Sequence, residues 1–143
     1  MTHPKQRANS TSREAADDVY VVGGGLAGHE AANRLSANGE SVTLVTTRTP
    51  ATDTHPDQRV HLAESLDAES LAAADLEDAD AVVVLGNDDA RNFLVAQLAR
   101  TRFDADRVVA RVNDPDREPL FEGLGVEVID TTQAVANTAV DRW

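Results

Sequence analysis

The sequence predicts an α/β protein built on a parallel sheet, and three observations carry that prediction. From Asp18 onward, six short β-branched runs alternate with longer segments bearing alanine and leucine, the pattern of βα units feeding a parallel sheet. The first, fourth and fifth runs are apolar with little alternation, as expected of central strands covered on both faces. A glycine cluster directly follows the first run and opens the first helical segment. The chain has 143 residues, the size of one compact domain and too few for two,.

Taken in order, residues 1–17 are polar, with Pro4, several Ser and Thr and no apolar periodicity, and predict a disordered leader,. Residues 18–143 form the predicted domain, with strands at Val19-Tyr20-Val21-Val22, Val42-Thr43-Leu44-Val45, Arg59-Val60-His61-Leu62, Ala81-Val82-Val83-Val84-Leu85, Val108-Val109-Ala110-Arg111-Val112 and Val126-Glu127-Val128-Ile129. Asn38-Gly39 closes the first helix, because glycine takes the left-handed conformation that a helix end requires. Asn87 or Asp88 caps a helix running through Phe93, Leu94 and Leu98,. Asp114-Pro115 sets a capping carboxylate before a proline at the first helical position, and Pro119 then shortens or bends that helix. Thr46 to Asp57 carries Pro50, Pro56 and no apolar face, so the place of a second helix reads mostly as loop,.

Charge excludes some partners. The chain carries 25 acidic and 13 basic side chains, a net charge of -12 and a pI near 4.5, so nucleic acids and anionic membrane surfaces would repel it. Lys5 is the only lysine and aspartate outnumbers glutamate, a composition that resembles proteins of salt-accumulating halophiles. Molar salt shortens the Debye length to about 3 Å, so a dense acidic surface is tolerated there. The absence of cysteine excludes disulfides and thiolate chemistry and fits a reducing cytoplasm,. No stretch is long enough for a membrane span, and the N-terminus has no apolar signal core,.

The sharpest motif is Gly23-Gly24-Gly25-Leu26-Ala27-Gly28, placed between strand and helix. Gly23 permits the tight turn, Gly25 lets the backbone approach a pyrophosphate, and Gly28 lets the helix lie close on the strand. Free N–H groups from Gly25 through Leu26 to Ala27 would face phosphates with the positive end of the helix dipole behind them. A dinucleotide site normally adds an acid at the end of the second strand for the ribose hydroxyls. That position here reads Thr46-Thr47-Arg48. A threonine hydroxyl can bond a ribose and Arg48 can pair with a 2′-phosphate, which leans toward a phosphorylated dinucleotide, a nucleotide held mainly by its phosphates, or weakened binding. A solvated loop arginine accounts for Arg48 equally well.

Two carboxylate and imidazole groupings read as structural. His55, Asp57 and His61 lack a third imidazole or thiolate. Asp88-Asp89 and Asp114-Asp116 are what helix caps supply. No metal site is expected, and no Ser-His-Asp set or pocket lysine supplies catalysis.

Gly23 to Ala32 followed by Val42-Thr43-Leu44-Val45 looks like the opening of a flavin-dependent oxidoreductase, but the chain is too short to enclose that cofactor. The stretch Leu71 to Leu85, then Asn87-Asp88-Asp89-Ala90-Arg91-Asn92, Ala110-Arg111-Val112-Asn113-Asp114-Pro115 and Leu124-Gly125-Val126-Glu127-Val128-Ile129 resembles instead the TrkA N-terminal or RCK domain. That family is the cytoplasmic nucleotide-sensing module of potassium channels and transporters. The resemblance covers Asp18 to Ile129.

The resemblance implies a Rossmann-like, doubly wound, six-stranded parallel sheet in the order 3-2-1-4-5-6. It implies NAD(H) or NADP(H), or alternatively ATP or ADP, at the carboxyl ends of strands one and four. Glu64 matches the family's acid after strand three, and Thr46 stands where its acid after strand two belongs. Gly86, Asn87, Asp88, Asp89 and Asn92 match the pattern after strand four and are expected to border the ligand. Arg111 matches an arginine that stands either near a phosphate or as a brace of the sheet end.

The resemblance further implies a regulatory, non-enzymatic domain acting as a homodimer or larger homo-oligomer. Its partner would be a membrane potassium channel or transporter, and it would lie in the cytoplasm or peripheral to the membrane through that partner. The segment from Thr132 matches the family's crossover helix in abbreviated form, and the C-terminal domain carried by many relatives is not expected. The competing readings are an NAD(P)-dependent oxidoreductase subunit and a degenerate dimerisation module without nucleotide.

Overall fold

The structure is a computed structural model that describes residues 17–50 and 53–143. The expected leader lies outside the described residues apart from Asp17. Six strands, β1 (Asp18–Val22), β2 (Ser41–Thr46), β3 (Arg59–Leu62), β4 (Ala81–Val84), β5 (Arg107–Val112) and β6 (Glu127–Asp130), form one parallel sheet in the order β3-β2-β1-β4-β5-β6. This is the doubly wound Rossmann-like topology that the resemblance implies. Among the described residues five α-helices accompany it: α1 (Gly25–Ala37), α2 (Ala68–Ala73), α3 (Asp89–Thr101), α4 (Glu118–Glu122) and α5 (Thr131–Asp141).

Two apolar layers sandwich the sheet. On one face Val19, Val21, Val42 and Leu44 pack against Ala32 and Leu35 of α1. The spacing of Gly28, His29, Ala32 and Ser36 turns one stripe of that helix inward,. On the other face Tyr20, Val22, Val45, Val82, Val84, Val108 and Ala110 meet Leu71, Leu76, Val95, Ala96, Ala99 and Phe121. Phe121 is fully buried and stands edge-on to Phe93 with ring centroids 5.3 Å apart. Burial of a side chain of this size contributes roughly 1.5–3 kcal/mol.

Local chemistry explains the interruptions. Among the described residues between β2 and β3 there is no helix, as the two prolines require. Asp114 caps a 3-10 turn, Pro115–Arg117, and α4 begins anew at Glu118 with Pro119 in its first turn. Proline is tolerated there because no i−4 carbonyl awaits its missing N–H. Asp75 takes the left-handed conformation, φ +62°, and separates α2 from a second 3-10 turn, Leu76–Asp78.

The sheet departs from the reading in one respect. β2 is buried from Val42 to Thr46, whereas alternate residues of β4 and β5 are only half-buried. The cause is topological. β2 receives α1 on one face and the larger apolar layer on the other, but all three helices from α2 to α4 lie on that second face. The first face of β4, β5 and β6 is therefore left open, with Val83, Val109 and Ile129 half-buried.

Candidate functional site

The carboxyl ends of β1 and β4 lie side by side, with Val22 beside Val84. The chain leaves β1 toward one face through α1 and leaves β4 toward the other through α3, so the two connections diverge and open a crevice at the topological switch point. Ligands of open α/β sheets bind in that position.

The glycine loop forms one wall. Gly23, Gly24 and Gly25 all have positive φ, +71°, +95° and +53°. The Gly23 amide donates to the Val45 carbonyl at 2.9 Å, fastening the loop to the end of β2. A Cβ on Gly28 would overlap the Gly23 carbonyl oxygen, whereas one on Gly25 would meet nothing within 4 Å. Gly28 therefore serves close packing and Gly25 faces open space. Gly24 is a site residue that the motif reading passed over, because the fingerprint leaves its position free. A Cβ there would come within 2.8 Å of the Leu85 Cβ and 2.9 Å of the Leu85 carbonyl oxygen. The run of three glycines was the available signal.

Electrostatics distinguish the start of α1 from the other helix starts. Asp67, Asp88 and Asp130 cap α2, α3 and α5 with carboxylates. Gly24 precedes α1 without a side-chain cap, and no acid stands in its first turn. The amides of Gly25, Leu26 and Ala27 have no preceding helical carbonyl to bond, and they carry the positive end of the helix dipole. The Gly28 amide already bonds the Gly24 carbonyl at 3.1 Å. In an acidic chain, this helix start carries no carboxylate among the described residues.

The second wall comes from β4 and β5. Gly86 lies opposite Gly23, since a Cβ on Gly23 would fall 3.8 Å from its α carbon. Asn87 is exposed at the rim. Asp88 accepts from the Ala90 and Arg91 amides at 3.0 and 3.3 Å, the capping role. Asn92 is buried, and its side-chain amide donates to the Gly86 and Arg111 carbonyls at 2.7 and 3.0 Å. Arg111 donates to Asn113 Oδ1 at 2.7 Å and to the Leu85 carbonyl at 3.4 Å. These contacts are those of a brace between the β4 turn and the β5 end.

Asp89, expected from the sequence as a capping carboxylate within the turn that borders the ligand, organises the same wall. It accepts from the Asn113 amide at 2.7 Å, the Asn113 side chain at 2.9 Å and the Asp114 amide at 2.9 Å. Burial pushes its carboxyl up, but these hydrogen bonds and Arg117 outweigh burial and hold it below the ordinary value,.

The end of β2 closes the crevice beside the glycine loop. Thr46 is buried, and its hydroxyl donates to the Arg48 carbonyl at 3.1 Å and accepts from the Arg48 amide at 3.2 Å. Thr47 and Arg48 are exposed on the resulting turn. The Ala63 amide donates to the Thr46 carbonyl at 2.8 Å, which sets exposed Glu64 one strand further out.

A latch that sequence reading missed holds the β2–β3 connection on α1. His29 Nε2 lies 3.0 Å from Thr54 Oγ1, Asn33 donates to the Asp53 carbonyl at 3.0 Å, and its Oδ1 accepts from the His55 amide at 3.0 Å. A histidine and an asparagine one turn apart on the first helix were the only signal. His55 Nδ1 accepts from the Asp57 amide at 3.1 Å, and among the described residues no three potential ligands group as a metal site. No helix among the described residues is long and apolar enough to cross a membrane.

The TrkA-N domain family model matches residues 19–132. The Trk system potassium uptake protein TrkA of Mycobacterium tuberculosis is 33% identical over 126 residues, covering 86% of this chain and 57% of the relative. This chain thus spans somewhat over half the length of that relative. Among solved structures, the GsuK channel bound to NAD superimposes with a TM-score of 0.77 at 22% identity, over 89% of this chain and 23% of that one. The Shewanella denitrificans Kef CTD in AMP bound form gives 0.73 at 21% identity, over 88% and 79%. Likenesses at this identity establish the fold.

Proposed function

The chain belongs to the TrkA-N domain family, and from that premise we propose that it is a nucleotide-sensing regulatory domain of a potassium channel or transporter. The single observation that carries the reading is the uncapped, acid-free start of α1 behind Gly23 to Gly28, facing the β4 turn. Phosphates fit there because amide donors and the helix dipole meet them without a Cβ at Gly25. The ligand is NAD(H), NADP(H) or another adenine nucleotide, in keeping with the NAD and AMP held by structures of the same fold. Its role is to bias a conformational equilibrium rather than to react.

An assembly of copies provides that equilibrium. Each chain offers an open apolar half-face over β4 to β6 and a helix, α5, whose Val135 and Val140 are about seven-tenths exposed. An isologous homodimer in which α5 of each copy covers the half-face of the other buries both surfaces. Val135→Asp with Val140→Asp is expected to yield a monomer by sedimentation. Nucleotide bound beside the same sheet end then acts on the dimer and, through it, on a membrane partner at the cytoplasmic side.

The test is the melting temperature in KCl with NADH, NADPH, ATP and ADP. A ligand present at 100 times its Kd stabilises by about 2.7 kcal/mol, a readily measured rise. Gly25→Asp places a carboxylate where the phosphates belong and should abolish the rise while the fold persists. If no nucleotide raises the melting temperature, the domain is an interaction module without nucleotide. Turnover of NAD(P)H with a second chain would make it an oxidoreductase subunit.

A further inference from the structure

We propose that Arg48 makes this cleft selective for nucleotides carrying a 2′-phosphate on the adenosine ribose. The inference rests on the nucleotide reading above and concerns its ribose end. Three observations carry it.

The first is placement. The Gly23 amide bonds the Val45 carbonyl, so the phosphate loop and the end of β2 are fastened together, and a ribose attached to a phosphate at the loop must pass the turn that follows Thr46. The second is the hydrogen-bonding capacity of that turn. Thr46 is the residue at which an acid would accept both ribose hydroxyls. Its hydroxyl has already donated its one proton to the Arg48 carbonyl and accepted the Arg48 amide, which leaves a single lone pair. An unmodified ribose, a donor through two hydroxyls, is poorly matched.

The third is an unpaired cation on that turn. The Arg48 guanidinium is exposed and has no hydrogen bond or ion pair among the described residues, while three other arginines, Arg34, Arg107 and Arg117, are paired with carboxylates. The exposed Thr47 and Thr49 flank it with hydroxyls. A planar guanidinium binds a phosphate through two parallel hydrogen bonds, and the neighbouring hydroxyls add donors for the remaining oxygens. The turn that bears Arg48 is already held by the Thr46 hydroxyl. This limits the ordering cost of binding.

Titration of the full chain with NADPH and NADH, followed by nicotinamide fluorescence, reads the preference. Displacement of NADPH by 2′-phospho-ADP-ribose separates recognition of the phosphate from recognition of nicotinamide. NADPH is expected to bind roughly 10- to 100-fold more tightly than NADH, the range of a charge-assisted hydrogen-bond pair, and 2′-phospho-ADP-ribose is expected to displace it. Arg48→Gln should remove that advantage and leave NADH within about twofold of the unaltered chain. Thr46→Asp retains a side-chain acceptor for the Arg48 amide and restores an acid, so it should shift the preference toward NADH. Equal or tighter binding of NADH by the unaltered chain overturns the selectivity while the nucleotide reading stands, as does an Arg48→Gln chain that keeps its NADPH affinity. Failure of both dinucleotides to bind removes the selectivity together with the dinucleotide form of that reading.

Discussion

The side-chain amide of Asn92 donates to the carbonyl of Arg111 at 3.0 Å, joining the first turn of α3 to the end of β5 across 19 residues of chain. The same amide donates to Gly86 at 2.7 Å, so one buried side chain holds the β4 turn in place opposite the glycine loop. Asn92→Ala should destabilise the fold by about 1–3 kcal/mol, because it removes two hydrogen bonds to part-buried carbonyls and leaves a gap where a buried side chain stood,. Asn92→Asp should do no better, since a carboxylate has no proton for either carbonyl. Urea unfolding of the two variants checks this, and a loss under about 0.5 kcal/mol would refute it.

Gly28 and Gly25 should respond differently to alanine. A Cβ on Gly28 overlaps the Gly23 backbone, which cannot yield without opening the loop, and the expected cost is about 3 kcal/mol or more. Gly25 has open space around its Cβ position, but its φ of +53° is left-handed, so Gly25→Ala should cost about 1–2 kcal/mol. Thermal unfolding of the two variants side by side would show whether Gly28 is the more costly.

Asp89 makes stability depend on acid pH. Its folded-state carboxyl titrates below the ordinary value of 3.8, so the ionised form is favoured by folding. The stabilisation is present above the unfolded value and is lost as pH falls through the lower folded one. Asp89→Asn should therefore be markedly less stable than the unaltered chain at neutral pH, and the gap should narrow below about pH 4. Denaturant midpoints measured from pH 7 down to pH 3 test the sign. A gap that widens on acidification would contradict it.

The net charge of -12 predicts a salt response. The ion pairs Arg34–Glu30, Arg107–Glu127 and Arg117–Asp114 are all well exposed and add little to stability, so self-repulsion of the surplus carboxylates dominates. Screening it should raise the melting temperature by about 5 °C or more between about 0.1 M and about 2 M KCl. A flat or falling melting temperature over that range would argue against adaptation to a salty interior.

Much of this molecule was legible in the residues themselves, for reasons local to the chain. β-branched runs report strands because they suit a pleated sheet buried on both faces, and the three glycines of the first loop report positive φ because little else adopts it. Asp88, Asp114 and the paired prolines mark starts and interruptions within a few residues of themselves. The resemblance carried by Leu71 to Leu85 and Ala110 to Pro115 added the strand order.

Tertiary structure decided what depends on partners far apart in sequence. Asn92 read as a neighbour of the ligand, and Arg111 equally well as a phosphate contact or a brace, until the fold set their amide and guanidinium against Gly86, Leu85 and Asn113. Asp89 looked like a capping carboxylate at the edge of a ligand site until the amides 24 and 25 residues away converged on it. His29 and Asn33 gave no sign of holding Thr54 and His55, because a hydrogen bond needs two groups brought to about 3 Å. Sequence thus determined which backbone the chain can form, since conformational preference belongs to single residues and their neighbours. Only the folded sheet decided which polar groups are consumed in holding the cleft and which, like the first amides of α1 and the guanidinium of Arg48, are left without a partner among the described residues.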